Sequence, residues 1–318
     1  MKILVTGGAG FIGSHFIRYV RQNHPAYKII NLDKLTYAGN LENLADIRCG
    51  ANYRFIKGDI CDSGLVGRLA KGADVIINFA ASTHVDRSIT NAADFIQTNV
   101  AGTQVLLDAA KRYKLKLFLQ ISSDEVYGSC KTGAFKEDGR LSASSPYAAS
   151  KAAADLLCRA YFTTYGLPVV ITRSSNNFGP YQYPEKIIPL FITNALENKK
   201  LPLYASGLNT RDWLFVLDNC RAIDVVLHKG KAGEVYNIGG GNLITNLKLS
   251  RLILKKLSKS AKLIKHVKDR PGHDWRYCID CAKIKRLGWR PRFDFEAALM
   301  LTVDWYKVNR NWWQKLKS

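Results

Sequence analysis

Ser123-Asp124-Glu125 and, further along, Tyr147-Ala148-Ala149-Ser150-Lys151 bring together residue types that can oxidise an alcohol and then run an elimination. A lysine four positions after a tyrosine lies one helical turn away, so both side chains can face one ligand. A neighbouring ammonium also favours the phenolate. The adjacent carboxyls Asp124 and Glu125 supply a candidate acid and base. Mutual repulsion drives two such proton affinities apart, which lets one group stay protonated near neutrality while the other is ionised.

Such groups need a scaffold, and its clearest part is at the start of the chain. Residues 2–6 form a short apolar strand, Gly7-x-x-Gly10-x-x-Gly13 a glycine turn, and residues 14–23 a helical pattern. A second strand over 27–32 ends at Asp33, at the spacing where a carboxylate accepts from ribose hydroxyls. This is the pattern of a dinucleotide site. Asp33 would repel a 2′-phosphate, so NAD is favoured over NADP, although Lys34 beside it weakens that preference. Further strands are predicted over 53–57, 75–79, 115–121 and 168–172, with helices over 62–70, 91–113 and 146–165. The alternation predicts an α/β fold built on a doubly wound parallel sheet. Polar clusters follow the strands at 7–13, Asp33, Asp59-Ile60, 80–87, 122–125 and 173–177, and should converge on one cleft beyond the strands' carboxyl ends.

After residue 175 the pattern loosens. Residues 1–175 are read as the NAD-binding domain carrying the catalytic groups, and 176–318 as a smaller substrate-binding part built from discontinuous segments. Lys186, Arg211 and Arg270 in its Gly/Pro-rich loops suit a diphosphate, because guanidinium forks bind phosphate bidentately.

The 318 residues, 47% hydrophobic and 23% charged, bound the chain to one large domain or two unequal parts. No run of about 18 apolar residues occurs and no signal-peptide core precedes the first strand, so a soluble, cytoplasmic protein is expected. The seven cysteines (49, 61, 130, 158, 220, 278 and 281) show no framework spacing and read as reduced thiols. Cys278-x-x-Cys281 has no second pair or histidine partner, so no metal is expected. The net charge of +21 raises a nucleic-acid surface. Yet the lysines after Lys248 keep helical spacing opposite Leu249, Leu252, Ile253 and Leu257, as on a solvated amphipathic helix, and no recognition motif accompanies them. Attraction of an anionic substrate is a milder use of that field.

Several stretches together resemble a known family: the glycine turn, Thr83-His84-Val85-Asp86-Arg87-Ser88, Asp124-Glu125-Val126-Tyr127-Gly128, Tyr147-x-x-x-Lys151, Asn176-Asn177-x-Gly179-Pro180-Tyr181, Pro184-Glu185-Lys186, Arg211-Asp212-Trp213 and Arg270-Pro271-Gly272-His273-Asp274. Almost end to end, the chain resembles the extended short-chain dehydrogenase/reductases, specifically the nucleotide-sugar 4,6-dehydratases. The resemblance implies a Rossmann-type fold and a redox-neutral dehydration in which NAD is borrowed and returned. It implies that Tyr147 takes the O4 proton of the sugar, Lys151 lowers the tyrosine's proton affinity and holds the nicotinamide ribose, Glu125 removes the C5 proton, and Asp124 protonates the departing C6 hydroxyl. Ser123, where the family usually carries threonine, would donate to the C4 oxygen. Around the cofactor the resemblance places Gly7, Gly10, Phe11, Ile12, Gly13, Asp33, Lys34, Asp59, Ile60, Ala80, Asn99 and Asn177 beside Tyr147 and Lys151. Around the nucleotide sugar it places Thr83, Ser123, Asn176, Lys186, Arg211, Asn246 and Arg270.

His84 and His273 are expected to make structural hydrogen bonds. Ser82 stands where relatives often carry Glu or Gln, which leaves the hydrogen bonding before Thr83 open. A homodimer is expected, paired through helices 91–113 and 146–165. Similarity favours dTDP-glucose over UDP-glucose as donor. A UDP-sugar 4-epimerase shares the Tyr/Lys pair but needs no carboxylate pair, and a non-catalytic NAD-sensing or nucleic-acid-binding protein has only the charge in its favour.

Overall fold

Short apolar runs, too brief for helices, become the strands of a seven-stranded parallel sheet. The computed structural model describes residues 1–47 and 50–317, so Cys49 lies outside the described residues. In chain order the strands are β1 (Lys2–Thr6), β2 (Lys28–Asp33), β3 (Tyr53–Lys57), β4 (Val75–Asn78), β5 (Leu117–Ser123), β6 (Val169–Ser174), β7 (Asn176–Phe178), β8 (Leu201–Tyr204), β9 (Thr210–Phe215), β10 (Val235–Ile238), β11 (Leu243–Thr245) and β12 (Ile264–Val267). The main sheet runs β10-β6-β5-β4-β1-β2-β3, with every neighbouring pair parallel. The winding direction reverses between β1 and β4, and a doubly wound sheet opens its ligand crevice at such a switch point. Gly7 leaves β1 at φ +69°, where an added Cβ would meet the Ala80 amide nitrogen at 2.5 Å. Only glycine allows so close an approach at that backbone angle.

Six of the seven strands match the predicted ones to within a few residues. The seventh, β10, is missed because its four residues sit in the stretch read as loosened cap. It is buried throughout and pairs with β6, Val235 opposite Ile171, so the main sheet draws on chain beyond residue 175. The predicted helix 91–113 proves to be compound. A separate helix, Val85–Thr90, precedes it, and Ala93–Phe95 leads through a π-helical stretch, Ile96–Ala101, into Gly102–Arg112. Gly102 allows the approach to β3's exit, since a Cβ there would lie 2.5 Å from the Ile60 side chain.

The helix that carries the Tyr/Lys pair, Pro146–Tyr165, has strong local signals. Ser145 caps it by accepting the Ala148 N–H at 3.1 Å, Pro146 occupies the first turn, and Gly166 ends it at φ +66°.

The remaining strands form a three-stranded sheet, β11-β9-β7, and the pair β12-β8. Helix Asn246–Lys256 buries Leu249, Ile253 and Leu254 and exposes Arg251 and Lys255, the amphipathic arrangement expected of the basic segment. The C-terminal helices return to the start of the chain. Trp312 donates to Asn43 at 3.1 Å, and Asn43 donates at 2.9 Å to the carbonyl of Ala9 within the glycine turn. The six described cysteines are free thiols. Cys281 is buried, its sulfur accepts the Gly239 N–H at 3.0 Å, and burial pushes its thiol up to about 12, so the Cys-x-x-Cys spacing serves packing. Among the described residues no helix is long and apolar enough to cross a membrane.

Candidate active site

The glycine turn is a backbone cradle. Gly7 donates to the Leu32 carbonyl at 2.9 Å, Gly10 to the Gly7 carbonyl at 3.2 Å and Ser14 to the Gly10 carbonyl at 3.0 Å. A Cβ on Gly13 would lie 2.4 Å from the Gly7 oxygen. Helix Phe11–Asn23 starts at Gly10 with no capping side chain, which leaves its first N–H groups and positive dipole end for an anion. Gly13→Ala is therefore expected to lose bound NAD. The purified variant should carry less than a tenth of the parent's dinucleotide, and equal content would refute the cradle.

Asp33 ends β2 almost fully buried. Its carboxylate accepts the Ala9 N–H at 2.9 Å and the Leu35 N–H at 2.8 Å, while burial raises its proton affinity. Lys34 does not stand free beside it. Its ammonium pairs with Asp59 at 2.7 Å, so the charge that weakened the preference against a 2′-phosphate is already engaged. Phe11, Ile12, Ile60, Ala80 and Asn177 complete this end of a cleft of about 300 Å³.

Asn99 does not line the cleft. Its amide accepts the Ser82 N–H at 2.9 Å and donates to the Ser82 carbonyl at 3.0 Å and to the Ser150 hydroxyl at 2.8 Å. It therefore clamps the loop before Thr83 to the Tyr/Lys helix, and the backbone of Ser82, not its side chain, is what is held.

Ser123 organises the carboxylate pair. Its hydroxyl accepts the Glu125 N–H at 3.2 Å and caps the single 3-10 turn Asp124–Tyr127. Asp124 is 3% exposed and one of its carboxyl oxygens has no hydrogen-bond partner. Burial, then the charges of Glu125 and Asp212, push its proton affinity well above the usual carboxylate range. Burial raises Glu125 too, but Arg270, Lys186 and Arg211 oppose it. The two environments are unequal, with the proton best held on Asp124.

Tyr147 and Lys151 are both buried in the same wall. Burial and the Glu125 charge push the phenol up, against a hydrogen bond from Ser123. The Lys151 ammonium donates to the Ile121 carbonyl at 2.6 Å, and burial pulls its proton affinity down. The expected lowering of the tyrosine by its lysine is thus outweighed here by desolvation and the neighbouring carboxylates.

Thr83, Asn176 and Lys186 line the opposite part of the cleft, where Lys186 donates to the Thr83 carbonyl at 2.7 Å. Arg211, Asn246 and Arg270 come from further elements, and Arg270 and Arg211 lie near enough to the cleft to act on Glu125. Arg211 donates to the carbonyls of Thr210 at 2.9 Å and Asp274 at 3.0 Å and lies over the Tyr277 ring. Arg270 reaches Asp86 at 3.4 Å, and its buried Nε has no partner. The side-chain oxygens of Asn246, Asn176 and Asn177 are likewise buried without partners. Groups left so are costly unless something pairs with them.

Residues 4–302 match the family described as GDP-mannose 4,6 dehydratase. The chain belongs to that family. It is 54% identical to the dTDP-glucose 4,6-dehydratase of Streptomyces niveus, over 100% of this chain and 96% of the relative. It is 51% identical to DesIV, the dTDP-glucose 4,6-dehydratase of Streptomyces venezuelae crystallised with NAD and TYD bound, with a TM-score of 0.98 over 99% of this chain and all of the other. The UDP-glucuronic acid 4-epimerase of Bacillus cereus, crystallised with UDP-glucuronic acid and NAD, is also similar, at 31% identity and a TM-score of 0.92 over 97% of this chain and 99% of the other. Backbone shape alone therefore does not separate dehydratase from epimerase.

Within this family member the two histidines behave as expected. His84 Nδ1 accepts the Arg87 N–H at 3.2 Å and caps helix Val85–Thr90, and burial lowers its pKa to about 4. His273 lies 2.6 Å from Asp269. Thr98, Gln182, Tyr183 and Glu185 line the cleft with no role assigned from sequence. Glu185 had a signal in the Pro184-Glu185-Lys186 motif and pairs with Arg87 at 3.1 Å, whereas nothing in the chain marked Thr98. Arg173, counted among the cleft residues, turns away into the core and pairs with Asp155.

Proposed function

We propose that the protein is an NAD-dependent dTDP-glucose 4,6-dehydratase acting as a cytoplasmic homodimer. The observation that carries this reading is the capped Asp124-Glu125 turn beside Tyr147, with two carboxyls in unequal environments. Oxidation at C4 alone needs only Tyr147 and Lys151, so the carboxylate pair accounts for the elimination.

NAD fits the cradle of Gly7, Gly10 and Gly13, the uncapped helix start and Asp33. Held there, NAD would supply a hydride acceptor for the C4 hydrogen and a hydride donor for C6. Lys151, four residues from Tyr147, would hold the nicotinamide ribose beside the phenol. Tyr147 takes the O4 proton, with Ser123 donating to the same oxygen. A C4 ketone makes the C5 proton acidic, and Glu125, the carboxyl more strongly opposed by cations, removes it. Asp124, held neutral by burial, gives its proton to the C6 hydroxyl, which leaves as water, and once hydride has returned to C6 Glu125 gives C5 a proton exchanged with solvent. Lys186, Arg211 and Arg270 hold the diphosphate, with Thr83, Asn176 and Asn246 offering neutral contacts.

Two features support the dimer and its compartment. Ile96 and Leu156, on the two packed helical segments expected to pair, are 51% and 56% exposed. Apolar side chains so placed on adjacent helices suit a second copy of the same surface. Free thiols suit a reducing cytoplasm.

Mass spectrometry of products formed in deuterated water tests the activity. With dTDP-glucose the expected product has lost one water and carries deuterium at C5. Conversion of UDP-glucose instead would overturn the donor assignment, and epimers without dehydration would overturn the reaction.

A further inference from the structure

Away from the cleft, two of the chain's six histidines converge on one carboxylate. Asp224 and His228 lie four residues apart on helix Val216–Lys229, so they share a face. His24 reaches them from the end of helix Phe11–Asn23. His24 Nε2 is 2.8 Å and His228 Nδ1 3.3 Å from the same oxygen, Asp224 Oδ1. All three ligand atoms fall within 4.8 Å of one another. Zinc with bonds of about 2.0–2.1 Å in a tetrahedron sets its ligand atoms roughly 3.3 Å apart. We propose that His24, Asp224 and His228 form a surface site for a zinc-class divalent ion that staples the end of the first helix to helix Val216–Lys229.

The donor set matches the ion. Two imidazoles and one carboxylate suit zinc and its first-row neighbours, whereas magnesium and calcium take oxygen ligands. Tyr27 supplies the outer support, with its hydroxyl 2.9 Å from His228 Nε2 and its ring stacked on His24 at 4.7 Å. With the ion bound, Nε2–H would donate to the Tyr27 hydroxyl and Nδ1 would carry the lone pair. His228 Nδ1 also lies 2.8 Å from the Asp224 carbonyl, a contact in which Nδ1 carries a proton. Binding of the ion shifts that proton to Nε2 through solvent and forms the Nδ1 bond in its place. The His24 and His228 side chains are 25% and 34% exposed, which leaves an entry path and an open fourth position for water. The first helix has 13 residues, so this end stands about 20 Å from the glycine cradle, and the role is structural.

Tag-free, NAD-loaded protein stripped with chelator and titrated with zinc against a chromophoric chelator tests the site. One equivalent is expected at micromolar affinity or tighter, together with a higher unfolding temperature. His24→Ala and His228→Ala should each weaken binding at least 10-fold at unchanged turnover, while Cys278→Ser should bind as the parent does. Cobalt in place of zinc should give the visible bands of a four- or five-coordinate site, lost in the double histidine variant. Undiminished zinc binding by that double variant, or loss of the equivalent in Cys278→Ser, would overturn the proposal.

Discussion

Glu125→Gln is expected to abolish exchange of the C5 proton and lower dehydration by about 10²–10⁴-fold, the usual range for removing a positioned acid–base group. Oxidation at C4 should survive, because Tyr147, Ser123 and Lys151 remain, so a single turnover should still reduce the bound cofactor. Asp124→Asn separates the second role. It should keep deuterium exchange at C5 and block loss of the C6 hydroxyl, since an amide cannot supply the proton. The parent's pH profile follows from the same environments. Activity requires Glu125 ionised, so it falls at low pH as Glu125 takes up a proton, and it requires Asp124 neutral, so it falls at high pH as Asp124 ionises. Burial raises both groups, so both limbs should lie above the ordinary carboxylate range, with the Asp124 limb the higher. C5 exchange, which does not use the Asp124 proton, should lack that alkaline limb in the parent and in Asp124→Asn alike. Undiminished C5 exchange in Glu125→Gln would sink the base assignment.

How much of this was legible in the chain depended on the range of the interactions involved. Strands β1 to β6 are short apolar runs bounded by polar turns, and the glycine turn and Ser145-Pro146 cap are local codes, so sequence alone located them. β10 became a strand through its pairing with β6 across more than sixty intervening residues, which a four-residue run does not advertise. The compound helix around Ile96–Ala101 needed the Ser82 clamp on Asn99 to be seen. The types and positions of Asp124, Glu125, Tyr147 and Lys151 were evident, but the Lys151 contact with Ile121 was not, since that carbonyl is 30 residues away. His24 and Asp224 are 200 residues apart, and no spacing rule joins them.

Arg173→Met should be the most damaging core change outside the cleft, costing about 3–5 kcal/mol, because it strands a buried charge. Arg173 Nε donates to Asp155 at 2.8 Å, and the two side chains are 1% and 0% exposed. Burial already holds Asp155 above the usual carboxylate range against the opposing guanidinium, and loss of that guanidinium drives it higher. The folded variant then binds a proton that the unfolded chain releases, so its deficit should grow as pH rises from the ordinary carboxylate value towards the raised one. Urea unfolding across that interval measures the trend, and a loss below about 1 kcal/mol at neutral pH would show the pair to be expendable. Asp155→Leu/Arg173→Met, which removes both charges, should recover most of the stability. It should not recover the rate. Arg173 also donates to the Tyr127 hydroxyl at 2.8 Å, which in turn donates to Asn237 at 2.8 Å, and Tyr127 ends the turn that presents Asp124 and Glu125. A double variant that folds well yet dehydrates slowly, with C4 oxidation intact, would place the function of this buried pair in holding the carboxylate turn.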